Sequence, residues 1–200
     1  MPDHAFFRSF GLFTQAEFLS LEECAELRDV ADNSKGEEAK VYRGGEHILH
    51  EEYRKTLQAP LTGEAGDRLH EKIEALRPEM ESCFDLTLGK LYETRCLIYR
   101  PGDFFELHID SIAKSEEGFE TISSRQVSVV IFLNDPNAPE QAYTGGVINF
   151  HGLMDVPGAN AFGFPLDPEP GLLVAFRSDV LHGVSPVEAG KRYTLVTWFH

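Results

Sequence analysis

From Leu86 onward short β-branched and aromatic runs alternate with clusters of Gly, Pro, Asn and Asp. The runs are LYETRCLIYR, FELHI, QVSVVIFLN, GGVINF, GLLVAF and RYTLVTWF. They are too short for well-packed helices, and their Val, Ile, Phe and Tyr content suits a pleated surface. Several such strands with turn signals between them predict an all-β sandwich or barrel. Two breaks, DSIAKSEEGFETISS and DVPGANAFGFPLDPEP, exceed ordinary hairpin loops. Segments that long are more often functional lids or disordered segments than plain connections.

Residues 1–84 have a different texture and read as largely helical. Ser20-Leu-Glu-Glu23 is a capping-box pattern, in which the serine hydroxyl and the glutamate each satisfy the other's backbone N–H. Leu21, Cys24, Ala25, Leu27 and Ala31 follow it at helical spacing. A second helix starts near Gly66, with Leu69, Ile73, Leu76, Met80 and Cys83 on one stripe. Pro78 should kink it or split it in two, because it lacks an N–H and clashes with the preceding turn. KGEEAKVYRGGEHILHEEYRK, between the helices, reads as a polar loop. A chain of 200 residues suits one domain. The expected division is a helical support segment, 1–84, and a β-rich core, 85–200.

Composition removes several classes. A net charge of −15 opposes binding to a phosphate backbone, which needs Lys and Arg. No apolar stretch reaches the length of a membrane span, and MPDHAFFRSFGLF lacks the basic start of a secretory signal. Cys24, Cys83 and Cys96 are odd in number and widely spaced, which gives neither a disulfide framework nor a Cys-x-x-Cys zinc motif. Three free thiols fit a reducing cytoplasm.

Chemistry concentrates in the second half. In YRPGDFFELHID, His108 and Asp110 are separated by one residue. In a strand, that spacing puts both side chains on one face. His182 follows the GLLVAF strand and a polar turn, and Arg192 lies ten residues further on. Two imidazoles and a carboxylate make the facial triad of non-haem Fe(II) oxygenases, leaving cis positions open for a chelating cosubstrate and O2. A guanidinium can then hold the far carboxylate of an oxoacid through two parallel hydrogen bonds. Arg192, Thr194, Val196 and Trp198 share one strand face, so Thr194 can add a hydroxyl beside Arg192.

In order, Tyr99, Gly102, His108-x-Asp110, FLN, GG, His182 and Arg192-Tyr-x-Leu-x-x-Trp-Phe resemble the prolyl 4-hydroxylase branch of the Fe(II)/2-oxoglutarate-dependent dioxygenases. The resemblance covers about residues 92–200, and FLSLEECAEL is similar to that branch's lead-in helix. It implies a double-stranded β-helix, or jelly-roll, with N-terminal helices packed on one sheet: a mainly β, α+β fold. It implies iron held by His108, Asp110 and His182, and 2-oxoglutarate anchored by Arg192 with Tyr99 and Thr194 nearby. O2 is the second cosubstrate, and ascorbate fits as an accessory reductant. The implied reaction releases succinate and CO2 and hydroxylates a C–H bond of a prolyl residue or a related amino-acid or peptide substrate. Because Asp110 is present, hydroxylation rather than halogenation is implied.

In some relatives a tyrosine precedes LN and grips the far carboxylate; here that residue is Phe132. Relatives that repair alkylated nucleic acid carry a second arginine six residues after the anchor, where this chain has Trp198. The competing expectation is a non-catalytic jelly-roll module that binds or senses a metal or an oxoacid. His47 and His50 read as exposed loop residues, His151 as the cap of a strand end and His200 as a loose terminus. Lys191 points to the face opposite Arg192. Trp198 and Phe199 read as core, and Glu116-Glu117 as a solvated loop.

Overall fold

Residues that alternate along a strand face opposite ways, so a sheet with both faces covered needs unbroken apolar strands. Within QVSVVIFLN the stretch 129–133 is such a run, and its strand, Val127–Phe132, lies near the middle of the larger sheet. The structure, a computed structural model, describes residues 4–43, 46–115, 118–121 and 124–200, with side chains described outside 41–48 and 112–121. The Glu116-Glu117 pair and the side chain of His47 therefore lie outside the described residues. Among the described residues the larger sheet has seven strands. Their order is Phe13–Gln15, Leu173–Arg177, Val127–Phe132, Arg192–Phe199, Arg95–Tyr99, Leu57–Pro60 and Glu37–Glu38. The facing sheet has five, ordered Gly163–Pro165, Ile148–His151, Leu181–Val184, Phe104–His108 and Arg54–Lys55. All neighbouring pairs are antiparallel. This is the expected jelly-roll.

Two apolar layers flank the larger sheet. Ile98, Val129, Ile131, Leu195 and Phe199 pack outward against Leu27, Leu69, Ile73 and Met80 of the helices. Leu97, Tyr99, Val130 and Phe132 face inward, toward Ile148, Phe150 and Val184 of the smaller sheet. Phe7, from the short helix His4–Ser9, reaches this inner layer and meets Phe150 at 6.1 Å between ring centroids. No described helix is long and apolar enough to cross a membrane.

Helix Leu21–Asn33 begins with the expected reciprocal cap. The Glu23 N–H donates to Ser20 Oγ at 3.2 Å, and the Ser20 N–H donates to Glu23 Oε2 at 2.8 Å. Cys24, Leu27 and Ala31 are buried, whereas Leu21, in the first turn, is exposed. Pro78 does split the second helix, into Glu64–Ala75 and Arg77–Phe84. The break restarts the helical phase. Leu69, Ile73 and Met80 stay buried, but Cys83 turns outward and Phe84 takes the inward place.

The polar stretch after the first helix is not a loop throughout. It holds short strands at Glu37–Glu38, Val41–Arg43, Glu46–Ile48 and Arg54–Lys55, two of which extend the main sheets at an edge. Strands of two or three residues are too brief to show alternation in sequence. The break after Asp110 likewise contains the hairpin Ile112–Ser115 and Gly118–Thr121. The second long break contains a short 3-10 turn at Ala159–Ala161 and the strand Gly163–Pro165.

Ile73 ties the helices to the sheet with no exposed surface. Ile73→Ala is therefore expected to lower stability by about 2–5 kcal/mol in urea unfolding, from lost contacts and the cavity left behind. Ser20→Ala, which removes only the cap, should cost less.

Candidate metal centre

The register of the smaller sheet brings the two histidines together. His108, the last residue of its strand, pairs directly with His182 on the neighbouring strand. Their ring centroids are 4.2 Å apart. Asp110 lies beyond the strand, in the turn that follows. The pair therefore converges by a strand end and a turn, not by the two-residue alternation expected of a continuous strand. His108 Nε2 is 3.4 Å from Asp110 Oδ1, and His182 Nε2 is 3.8 Å from Asp110 Oδ2. Among the described residues these three form a group whose ligand atoms all lie within 4.8 Å of one another.

Backbone carbonyls fix both imidazoles. His108 Nδ1 lies 2.8 Å from the Glu106 oxygen, and His182 Nδ1 lies 2.9 Å from the Val180 oxygen. A ring nitrogen that donates to a carbonyl carries the proton, which leaves Nε2 with its lone pair facing the partner ligands. Phe105 stacks on His108 at 3.5 Å, and Phe176 meets His182 edge-on at 4.7 Å. Burial pushes the His182 pKa down to about 4, and nearby His108 adds to this. His182 is therefore neutral at physiological pH, as a ligand must be.

The carboxylate is held from the opposite sheet. Asp110 Oδ2 accepts a hydrogen bond from Ser128 Oγ at 2.7 Å and another from Trp198 Nε1 at 2.9 Å. Ser128 in turn meets Ser178 at 2.9 Å. Burial by itself would raise the Asp110 pKa, but His182 and His108 hold it well below the ordinary carboxylate range. Trp198, which reads as core from sequence, is half-buried and lines the cavity; Phe199, its neighbour, is fully buried. An aromatic residue near a strand end carries no sequence sign of which role it takes.

A cavity of about 940 Å³ runs between the sheets, from this cluster to Arg192. Arg192 opens the Arg192–Phe199 strand directly opposite Tyr99, and Thr194 lies opposite Leu97, so Arg192, Thr194, Val196 and Trp198 all line the cavity. The guanidinium is buried, 1 % exposed. Arg192 Nη1 donates to Thr194 Oγ1 at 3.2 Å, but Nε and Nη2 have no hydrogen-bond partner among the described residues. The rings of Tyr99 and Phe132 lie 5.1 Å and 5.4 Å from its Cζ. A buried cation with two idle donors is costly unless an anion completes it. The far carboxylate of an oxoacid has that charge and shape. The donor set at the other end of the cavity suits Fe(II) on its own chemistry.

Tyr143 is the residue that sequence reasoning missed here. It is buried, and its hydroxyl has no partner among the described residues. Burial raises its pKa, and adjacent Arg192 works against that rise. Phe132 removes the tyrosine found in some relatives, while Tyr143 brings a hydroxyl to Arg192 from the segment before Gly145-Gly146. The Gly-Gly pair explains itself sterically. Gly146 has φ +62°, and a Cβ there would sit 2.8 Å from both Arg192 Cδ and Val187 Cγ2.

The remaining histidines divide. His151 ends its strand with Nδ1 3.0 Å from the Asn160 oxygen, while His50 lines the cavity beside Tyr53. His200 is not loose: its carbonyl accepts from the Gly89 N–H, and its ring packs on Tyr92 at 3.3 Å. Lys191 points away from the cavity, 3.9 Å from Asp32.

Known proteins resemble this chain in sequence and fold. Residues 94–200 match the model of the 2OG-Fe(II) oxygenase superfamily. A PKHD-type hydroxylase of Burkholderia thailandensis is 23% identical over 181 residues, which is 90% of this chain and 74% of that protein. The crystal structure of a Pseudomonas putida prolyl-4-hydroxylase superimposes with a TM-score of 0.70 at 25% identity, covering 95% of this chain and 92% of that one. The fold is also that of a Trichoplax adhaerens prolyl hydroxylase solved with a hypoxia inducible factor oxygen degradation domain peptide fragment. There the TM-score is 0.71 at 19% identity, over 96% and 84% of the two chains. The chain thus belongs to the 2OG-Fe(II) oxygenase superfamily, on its prolyl-4-hydroxylase-like side, and is a hydroxylating dioxygenase that uses Fe(II), 2-oxoglutarate and O2.

Proposed function

We propose that His108, Asp110 and His182 hold the iron, that Arg192 anchors the far carboxylate of 2-oxoglutarate, and that the substrate is a prolyl residue or a related amino-acid or peptide group. The observation that carries this reading is the pairing of ends within one cavity: a three-ligand cluster at one and a buried, half-satisfied arginine at the other. When bound, iron with 2-oxoglutarate and O2 supplies the oxidising power to replace C–H by C–OH, with succinate and CO2 released. The chain's own residues do the rest. Val180 and Glu106 carbonyls keep the imidazole Nε2 atoms unprotonated. Ser128 and Trp198 both bind Asp110 Oδ2, which leaves Oδ1 as the freer oxygen for a metal. Thr194 already contacts Arg192, and Tyr99 and Tyr143 flank it, so these are the groups that position the cosubstrate's tail.

The prolyl assignment leans on likeness to the Pseudomonas putida prolyl-4-hydroxylase across nearly the whole of both chains. Likeness to hydroxylases of the same superfamily favours a working oxygenase over a module that only binds, and the unmet Arg192 donors are in keeping with it. A single domain spanning 1–200 is in keeping with the continuous apolar layer joining helices and larger sheet. A reducing, cytoplasmic setting is in keeping with Cys24, Cys83 and Cys96 as free thiols.

His182→Ala should abolish iron binding and succinate formation together. Arg192→Ala should spare iron binding and raise the 2-oxoglutarate concentration needed for half-maximal turnover; an unchanged requirement would remove Arg192 from the anchoring role. Replacing Trp198 with Phe, or Ser128 with Ala, should weaken Fe(II) affinity by about 10- to 100-fold, the usual effect of losing a group that orients a metal ligand. Equilibrium dialysis against Fe(II) under anaerobic conditions reads this out. In metal-free protein, His182 binds its proton near pH 4 when folded, against 6.5 ordinarily. The unfolded chain takes up that proton first as pH falls, so this contribution to stability is present above 6.5 and lost toward 4. Thermal melts of the metal-free protein across that window should show the decline, and His182→Gln should flatten it.

A further inference from the structure

Charge is distributed unevenly around the cavity. Acidic residues outnumber basic ones in the whole chain, 33 to 18. Among the described residues the cavity reverses this, with Lys40 and four arginines against three carboxylates. Asp110 belongs to the metal cluster, and Glu37 accepts a hydrogen bond from Gln58 at 3.0 Å. Arg192 has its role at the cosubstrate end. Arg125 is also engaged: its guanidinium lies 3.8 Å over the Trp198 ring and donates to the Asp110 carbonyl at 3.4 Å. Glu93, the third carboxylate, lies two residues before Arg95. Lys40, Arg54 and Arg95 remain, and of these the two arginines lie on sheet strands.

These two come from opposite sheets. Arg54 sits on the edge strand of the smaller sheet, in register with Phe105. Its guanidinium is 4.5 Å from the Phe105 ring, the ring that stacks on His108. Its Nε is buried and has no hydrogen-bond partner among the described residues. Arg95 is in register with Val196 on the larger sheet and shares the cavity-facing side with Leu97 and Tyr99. Neither arginine has a carboxylate within ion-pair distance among the described residues. Burial lowers the Arg54 pKa; Tyr99 and Asp110 oppose this, while Arg125 and Arg95 add to it. Crowding cations on the wall of a partly desolvated cavity costs free energy that an incoming anion returns.

We propose that the substrate carries a carboxylate, received by Arg54 and Arg95, which sets its target C–H beside the His108, Asp110 and His182 cluster. This rests on the hydroxylase reading above and narrows its substrate to an acidic one. Guanidinium groups suit the task because each can offer a carboxylate two parallel N–H donors. The carboxylate can belong to the main chain, as in a free amino acid or a peptide C-terminus, or to an acidic side chain next to the target residue.

Trp198 is the sole tryptophan and lines the cavity, so its fluorescence reports occupancy. The full chain, loaded with Mn(II) and 2-oxoglutarate, is titrated with two matched pairs of probes. N-acetyl-proline against its amide tests the main-chain source. Capped glutamyl-proline amide against capped glutaminyl-proline amide tests the side-chain source. At least one acid should bind about tenfold more tightly than its neutral partner, the scale of a charge-assisted hydrogen bond. Arg54→Gln combined with Arg95→Gln should bring that ratio to about one, and Arg54→Lys should keep part of it. Added salt should weaken the acid and spare the amide, a readout on the unsubstituted protein that stands even if the double variant misfolds. Equal affinity within both pairs, no binding by either acid, or a preference that survives the double substitution in folded protein overturns the proposal. Failure of the hydroxylase reading shows separately, as absence of succinate from the Fe(II)-loaded chain with 2-oxoglutarate and O2.

Discussion

The Asp110 carboxylate spans the gap between the two sheets, and the site depends on that bridge. Its chain position belongs to the smaller sheet, just past His108, but its hydrogen bonds come from Ser128 and Trp198 of the larger one. A carboxylate drawn out of water needs such partners, since burial alone would drive it toward the neutral acid. His108, Asp110 and His182 therefore meet because two sheets pack at a fixed distance, and the apolar layer between them sets that distance.

Arg192 obeys the same logic with the opposite sign. Its strand lies fourth of seven in the larger sheet, covered by helices on one face and by the smaller sheet on the other. No solvent reaches the guanidinium to stabilise it. The cost fits the role proposed for Arg192, a fixed positive charge at the far end of a dicarboxylic cosubstrate. Gly146 keeps the overlying backbone close enough to seal that end, and Tyr143 and Thr194 place hydroxyls around it.

Much of this was legible in the sequence because it depends on periodicity or on rare residue types. The strand runs, the Ser20–Glu23 cap, the split at Pro78 and the Arg192 strand read directly, and His108, Asp110 and His182 are recognisable although Asp110 reaches the cluster from a turn and not from the strand. Other features had no local signal. Arg54 lies on a strand of two residues, too short to alternate, inside a stretch that reads as polar loop. Tyr143 precedes a Gly-Gly turn, and nothing in that neighbourhood announces a buried hydroxyl. Trp198 has the composition of a core residue and becomes a hydrogen-bond donor only through its register with Ser128. Cys83 falls on a helical stripe until Pro78 resets the phase. For Arg54, Tyr143 and Trp198 the missing information is what lies opposite in the assembled sheets, a property of the fold and not of the segment.

The Arg192–Phe199 strand carries Arg192, the proposed cosubstrate anchor, at one end and Trp198, which grips Asp110, at the other, six positions apart. At about 3.4 Å per residue that is a span of roughly 20 Å. A slip of a single position against its neighbours would turn Tyr193 and Leu195 toward the metal and thrust the arginine beneath the helices. The same contacts that keep this segment in place thus also set the distance between Arg192 and the Asp110 cluster. Loosening this strand would therefore disturb the site and the packing of the larger sheet together.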